Sequence, residues 1–169
     1  MTGASARDYL PALTLPLALA VGLWWSWGTW PDVLIDFGRE LYTPWRLAEG
    51  DVLYRDVAYF NGPVSPYLNS LWFRLFGSSL LTLVIANTVV LAAAVGLVYR
   101  LVMEIAGPAA ALLAGLTFIA VFAFGQYVGA GNYNWICPYS HEITHGITLS
   151  LVAICLAWRN SLDRRWWSA

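Results

Sequence analysis

Four stretches of this chain carry no charged side chain: residues 9–31, 75–99, 105–141 and 143–158. A helix needs roughly 20 consecutive apolar residues to cross the hydrocarbon core of a bilayer, so the first three runs are long enough and the fourth nearly so. A soluble domain of 169 residues has too little interior to hide them. Composition agrees, because 59% of the residues are hydrophobic and only 11% are charged, against roughly 25% charged in soluble chains. Nine arginines, no lysine and ten acids give a net charge of −1 and no basic patch, which argues against a nucleic-acid partner.

The third run is too long for one helix. Its texture changes at Gly125 to Gly-Gln-Tyr-Val-Gly-Ala-Gly-Asn-Tyr-Asn, a turn-forming and polar segment. The sequence therefore predicts a helix over 108–124, with Pro108 in the first turn where its missing N–H costs nothing, followed by a second loop over 125–139. The last span is expected to start upstream of His141 and Glu142, with Arg159 snorkelling at its far end. The first run exceeds a signal-peptide core and ends in Trp24, Trp25, Trp27 and Trp30 rather than a small-residue cleavage site, so it reads as an uncleaved span with an interfacial aromatic belt. Trp158, Trp166 and Trp167 form the matching belt at the other end, although packing against neighbours explains any single one of them equally well. The expected architecture is an all-α polytopic membrane protein with a single membrane domain over 1–169. Its spans fall at about 10–30, 78–100, 108–124 and 140–158. Both termini then share one side, and five arginines there against four on the other place that side in the cytoplasm.

The first extracytoplasmic loop, about 31–76, has a folded pattern. Val64, Tyr67, Leu68, Leu71, Trp72, Leu75 and Phe76 recur at helical spacing, with Gly77 as a stop, which predicts an amphipathic helix on the membrane surface. Residues 36–42 and 45–49 read as short helical pieces interrupted by Pro44 and ended by Gly50. Residues 51–61 read as an irregular loop. Cys137 and Cys155 lie too far apart to pair and are expected to be free.

Two constellations carry candidate chemistry, and the expected topology puts both on one membrane face. The first is Asp36 with Arg39 and Glu40. A carboxylate at headgroup level, where the dielectric falls, can be tuned as a general base, while capping the next helix is the alternative for Asp36. Arg39 and Glu40 suit phosphate binding and its positioning, or form a solvated helix face. The second is His141-Glu142-Ile143-Thr144-His145, which matches the H-E-x-x-H pattern of zinc proteases. A third zinc ligand is missing from reach, so a His/Glu pair that binds a substrate phosphate or a metal-bridged headgroup competes with a structural histidine pair. Around them, Tyr127, Asn132, Tyr133, Asn134, Trp135 and Tyr139 have the aromatic and amide content of a sugar-contacting surface or of an interfacial anchor. Gln126, Asn132 and Asn134 should face protein or water, since polar groups in lipid are costly.

Taken together, the uncharged first span, Asp36-Phe37-Gly38-Arg39-Glu40-Leu41-Tyr42, Pro44-Trp45-Arg46-Leu47, Gly50-Asp51-Val52-Leu53-Tyr54-Arg55-Asp56, Gly62-Pro63 and Leu75-Phe76-Gly77 resemble the amino-terminal part of GT-C-fold membrane glycosyltransferases. The resemblance is closest to the bacterial protein-mannosyltransferase-like and lipopolysaccharide-sugar-transferase-like members, and it covers nearly the whole chain in order. It implies transfer of a sugar from a polyprenyl-phosphate carrier to an extracytoplasmic acceptor at a bacterial inner membrane, with Asp36 as general base. Arg39, positioned by Glu40, is the first candidate to stabilise the departing phosphate, while Tyr139, His141, Glu142 and His145 would border the donor phosphate or the acceptor. The family generally has more spans than four. The resemblance thus implies either the amino-terminal portion of a longer enzyme, inactive alone, or a chain completed by a second membrane subunit. A divalent-metal requirement is left open. The alternatives are a non-catalytic membrane scaffold and an HExxH membrane metalloprotease.

Overall fold

The computed structural model describes residues 6–29, 37–124 and 134–163. They form six α-helices: α1 (Ala6–Trp25), α2 (Gly38–Ala48), α3 (Val64–Phe76), α4 (Leu80–Ala106), α5 (Pro108–Thr117) and α6 (His141–Asp163). A π-helical segment, Phe118–Ala123, continues α5. Among the described residues the one piece of β-pairing is an isolated bridge between Leu53 and Val57, so the chain is all-α. Among the described residues, two helices are long and apolar enough to cross a membrane: α4, and α6 as far as Ser161. Leu13–Trp25 and Pro108–Ala123 are apolar but shorter.

Helix α4 is the centre of the packing. Leu83, Asn87, Leu91, Ala94 and Val95 are buried along it, a spacing of about one turn that keeps them on one face. The helix starts at Ser79, whose hydroxyl accepts the Thr82 N–H at 3.1 Å, an ordinary N-cap. It runs six residues beyond the expected end at 100, and Arg100 pairs there with Glu104 one turn further on, at 3.4 Å. Gly107, at φ +82°, then reverses the chain in one residue, a conformation that strains any side chain. Pro108 follows as the first residue of α5, and α5 folds back along α4. Helix α1 lies on α5 and its π-helical extension, because Gly115 lets Leu15 approach and Gly22 makes room for the Phe124 ring.

Two local expectations need correction. Pro44 does not break the first-loop helix, since α2 runs continuously from Gly38 to Ala48. Glu40, Thr43, Pro44 and Leu47 are its buried residues, and this helically spaced face packs on α3, so tertiary burial offsets the one hydrogen bond proline removes. Helix α6 begins at His141 itself, not upstream of it. The Glu40 carboxylate accepts the His141 backbone N–H at 3.2 Å, and an acceptor from another element fixes the first free N–H of the helix there.

Helix α3 is amphipathic over the span expected, and Gly77 at φ +89° ends it. Its inward face is mixed, with Ser65, Asn69 and Ser70 buried beside Pro66 and Phe73, while Val64, Tyr67, Leu71, Leu75 and Phe76 are exposed. Trp24, Trp25 and Trp27 also point outward at the end of α1. Trp30, Trp166 and Trp167 lie outside the described residues.

The tight contact of α1 with α5 gives a direct test. A Cβ on Gly115 would sit 2.8 Å from Leu15 Cδ2, whereas Gly96 faces open space. Gly115→Val should destabilise the purified protein by about 1–3 kcal/mol in a denaturant titration, and Gly96→Ala should leave it as stable or slightly more so.

Candidate functional site

One polar cluster forms where the first loop, the start of α4 and the start of α6 meet. It brings together Arg39, Glu40, Tyr139, His141, Glu142 and His145, six of the seven residues singled out in the sequence. The seventh, Asp36, lies outside the described residues, as do Gln126 and Asn132.

The centre is Glu40 against His141, both essentially buried, with Glu40 Oε2 at 2.5 Å from His141 Nδ1. On the other side of the ring, the Asn87 amide nitrogen donates to the Ile136 carbonyl at 2.9 Å and lies 3.0 Å from His141 Nε2. Only an NH2 group can face that carbonyl. The hydrogen-bond network therefore assigns Nε2 as acceptor and Nδ1–H as the donor to Glu40. Phe37 packs beside the imidazole, with ring centroids 5.8 Å apart.

Arg39 closes the outer side of the pair. Its Nε and Nη2 donate to Glu40 Oε1 at 3.2 and 3.1 Å, and Nη2 also donates to the Tyr139 carbonyl at 3.2 Å. The guanidinium lies 5.0 Å from the Phe60 ring centre and 5.5 Å from that of Tyr139, a cation–π arrangement on both sides. Burial alone would raise the Glu40 carboxyl, but the hydrogen bonds it accepts from the His141 ring and backbone, then from Arg39, outweigh it and hold Glu40 below the usual carboxylate range. For Arg39, partial burial works against the cation, yet the bonds to Glu40 and its charge raise its value further.

Glu142 anchors a second part of the cluster. Tyr59 donates its hydroxyl to Oε1, Ser140 donates to Oε2 at 2.5 Å, and the Asn61 amide lies at 3.5 Å. Burial, then the bond to Glu142, pushes the Tyr59 hydroxyl well above its ordinary value. His145 sits one turn further along α6, its ring centroid 5.7 Å from that of His141, and its Nδ1 pairs with Ser65 Oγ at 2.9 Å. In the second loop Asn134 is buried and accepts the backbone N–H groups of Ile136 and Cys137, so it faces protein as expected. Cys137 and Cys155 are free, and burial pushes the Cys137 thiol up to about 12, which makes it unreactive.

The H-E-x-x-H segment is helical, but it does not present a zinc site. Both His141 ring nitrogens are engaged by protein groups, whereas a zinc ligand needs a free imidazole lone pair. Among the described residues no group of three or more His, Cys, Asp and Glu is placed to hold a metal ion.

Several members of the cluster escaped the sequence reading. Asn87 is the most telling, because an amide inside a 25-residue uncharged run is costly unless partnered within the protein. Tyr59, Asn61 and Ser65 gave no local signal. No protein-family model, curated protein or solved structure matches the chain.

The Glu40 pairing sets a pH dependence. Its value in the folded protein lies below the unfolded one near about 4.3. The stability it adds is therefore complete above that pH and is lost as pH falls through the folded-state value. Acid titration of the melting temperature should show a limb below about pH 4 that Glu40→Gln flattens. Glu40→Ala, which strips the partner from Arg39 and His141, should cost about 3 kcal/mol or more at neutral pH in a denaturant titration.

Proposed function

We propose that the chain is the amino-terminal portion of an integral-membrane glycosyltransferase of the GT-C kind, with four spans, both termini in the cytoplasm of a bacterium, and its polar cluster at the extracytoplasmic surface of the inner membrane. The membrane part of this reading draws support from the outside of the molecule. Only 17% of the apolar window of α6 is buried, far less than the core helix of a soluble protein would show, and α1, α3, α4 and α6 all expose large apolar side chains. Gly22 near the end of α1 meets Phe124 just after the π-helical segment, the Ala123 carbonyl accepts the Trp135 N–H, and Asn87 on α4 meets His141 at the start of α6, which supports an alternation of four crossings. Reporter fusions should therefore place Gly50 and Ser140 outside the cytoplasm and Gly107 inside it; a cytoplasmic Gly50 reporter would overturn the topology.

The observation that carries the transferase reading is the Arg39–Glu40–His141 arrangement at the end of apolar helices. A lipid-linked sugar phosphate brings its anionic group to this level of the membrane. Arg39 keeps Nη1 without a protein partner among the described residues, and its position is held by Glu40 and the Tyr139 carbonyl. In the proposed reaction Asp36 takes the proton of an acceptor hydroxyl, the oxygen bonds to the anomeric carbon, and the bond to the polyprenyl phosphate breaks. Arg39 then stabilises the negative charge on the departing phosphate. The donor is a polyprenyl-phosphate-linked sugar, and further helices come from the rest of a longer chain or from a second membrane subunit.

A scaffold reading draws on a different observation: Glu142 and His141 have their hydrogen-bonding capacity filled by neighbouring protein groups, as in a structural lock. Asp36→Asn separates the two. Measured in membranes containing the complete system, with the mass of the extracytoplasmic glycan as readout, it should lower sugar transfer at least about 10²-fold, the scale of general-base catalysis, with the amount of inserted protein unchanged. Full transfer by the variant would favour the scaffold.

A further inference from the structure

Two cavities meet at the corner between α3 and α4. One, of about 430 Å3, lies between an outer face of α2 and this corner and is lined by Leu41, Tyr42, Trp45, Phe73, Ser78 and Ser79, among others. The other, of about 510 Å3, is a groove along the first turns of α4, lined by Trp72, Phe76, Ser79, Leu81, Ile85 and Val89, among others. Ser79 borders both, so the two adjoin at that residue. Each volume lies in the range of small-molecule pockets, about 300–1,000 Å3.

Their chemistries differ. The groove is apolar, and Leu81, Ile85 and Val89 follow one another at single-turn intervals, a run of roughly 12 Å along the helix. Because α4 is long enough to cross a membrane, this groove descends from the helix start into the hydrocarbon. The cavity at its head is aromatic and hydroxylated, and among the described residues no charged side chain lines it. Tyr42 and Trp45 meet edge to face with ring centroids 5.9 Å apart, and both rings are substantially exposed. The Ser78 hydroxyl has no protein partner among the described residues. Arg46, whose guanidinium lies 5.9 Å from the Trp45 ring centre, is paired with Asp51 at 2.5 Å, so its charge is already met.

An occupant that matches both ends is an amphiphile with one apolar chain and an uncharged, hydroxyl-rich head. We propose that the adjoining cavities bind a neutral glycolipid, the C–H face of its sugar on Tyr42 and Trp45, its hydroxyls toward Ser78, and its hydrocarbon chain in the α4 groove. An anionic phospholipid finds no free cation among the described lining residues. The site is separate from the Arg39–Glu40–His141 cluster, since none of the residues in that network lines it. It rests on α4 lying in the membrane and not on the transferase reading.

The test uses the full chain purified in a detergent without sugar, with native mass spectrometry to count bound lipids. Monoglucosyl diacylglycerol should bind at least about tenfold more tightly than diacylglycerol, phosphatidylglycerol or methyl glucoside, and Trp45→Ala should remove about that factor, the scale of a lost aromatic contact. Ile85→Trp fills the groove from an exposed position and should weaken binding without lowering the melting temperature. Equal binding of any of the three control compounds, or unchanged binding in both variants, overturns the proposal. Alkaline extraction keeps the premises apart: release of the chain from membranes overturns the membrane reading, whereas a retained chain with no preference for the glucosyl lipid overturns the glycolipid site alone.

Discussion

The contact between Glu40 and His141 joins two parts of the chain that are a hundred residues apart, and the arrangement of the polar end follows from it. One carboxylate does three things at once. Its Oε2 takes the His141 ring N–H and the first backbone N–H of α6, and its Oε1 takes two donors from Arg39. A negative charge at a helix N-terminus is favourable because the unpaired N–H groups carry partial positive charge. Glu40 therefore caps α6 from another element, and this ties the first loop to the last helix. Without that tie Arg39 would lose its orientation toward Tyr139, and the Asn87 amide would face an imidazole free to rotate.

Features specified by a few neighbouring residues are legible in the sequence. The α3 boundary at Gly77, the start of α5 at Pro108, the irregular 51–61 segment and the burial of Asn134 depend on turn and capping chemistry that a few neighbouring residues specify. The continuity of α2 through Pro44 was not legible, because it depends on Thr43, Pro44 and Leu47 packing on α3 rather than on proline's own preference. The composition of the cluster was half legible: charges and histidines stand out against an apolar background, so Arg39, Glu40, His141, Glu142 and His145 were found. Tyr59, Asn61 and Ser65 look like ordinary loop and helix residues until the fold sets them against Glu142 and His145.

Asn87 shows why a polar residue in an apolar run is informative. Its amide nitrogen is shared between Ile136 and His141, and its oxygen has no hydrogen-bond partner although it is buried. Asn69 on α3 leaves its oxygen in the same condition. An unsatisfied buried acceptor costs about 1–3 kcal/mol, so the fold accepts a penalty at two places around one polar interior. Replacing Asn87 by leucine would remove its own orphaned oxygen but strand the lone pair of His141, which is why the amide and the imidazole have to be understood as a unit.

Helix α3 argues about the surroundings more directly than any apolar count. In water an amphipathic helix packs its apolar stripe inward, yet α3 turns Ser65, Asn69 and Ser70 to the interior and leaves Val64, Tyr67, Leu71, Leu75 and Phe76 outside. The interior it faces includes His145, whose Nδ1 pairs with Ser65. Exposure of that outward stripe to water would cost about 25 cal/mol per Å2, so it suits a less polar medium or a partner surface. Under the membrane reading proposed above, a helix lying in the membrane surface, with its apolar stripe toward the acyl chains, would meet that requirement with one orientation.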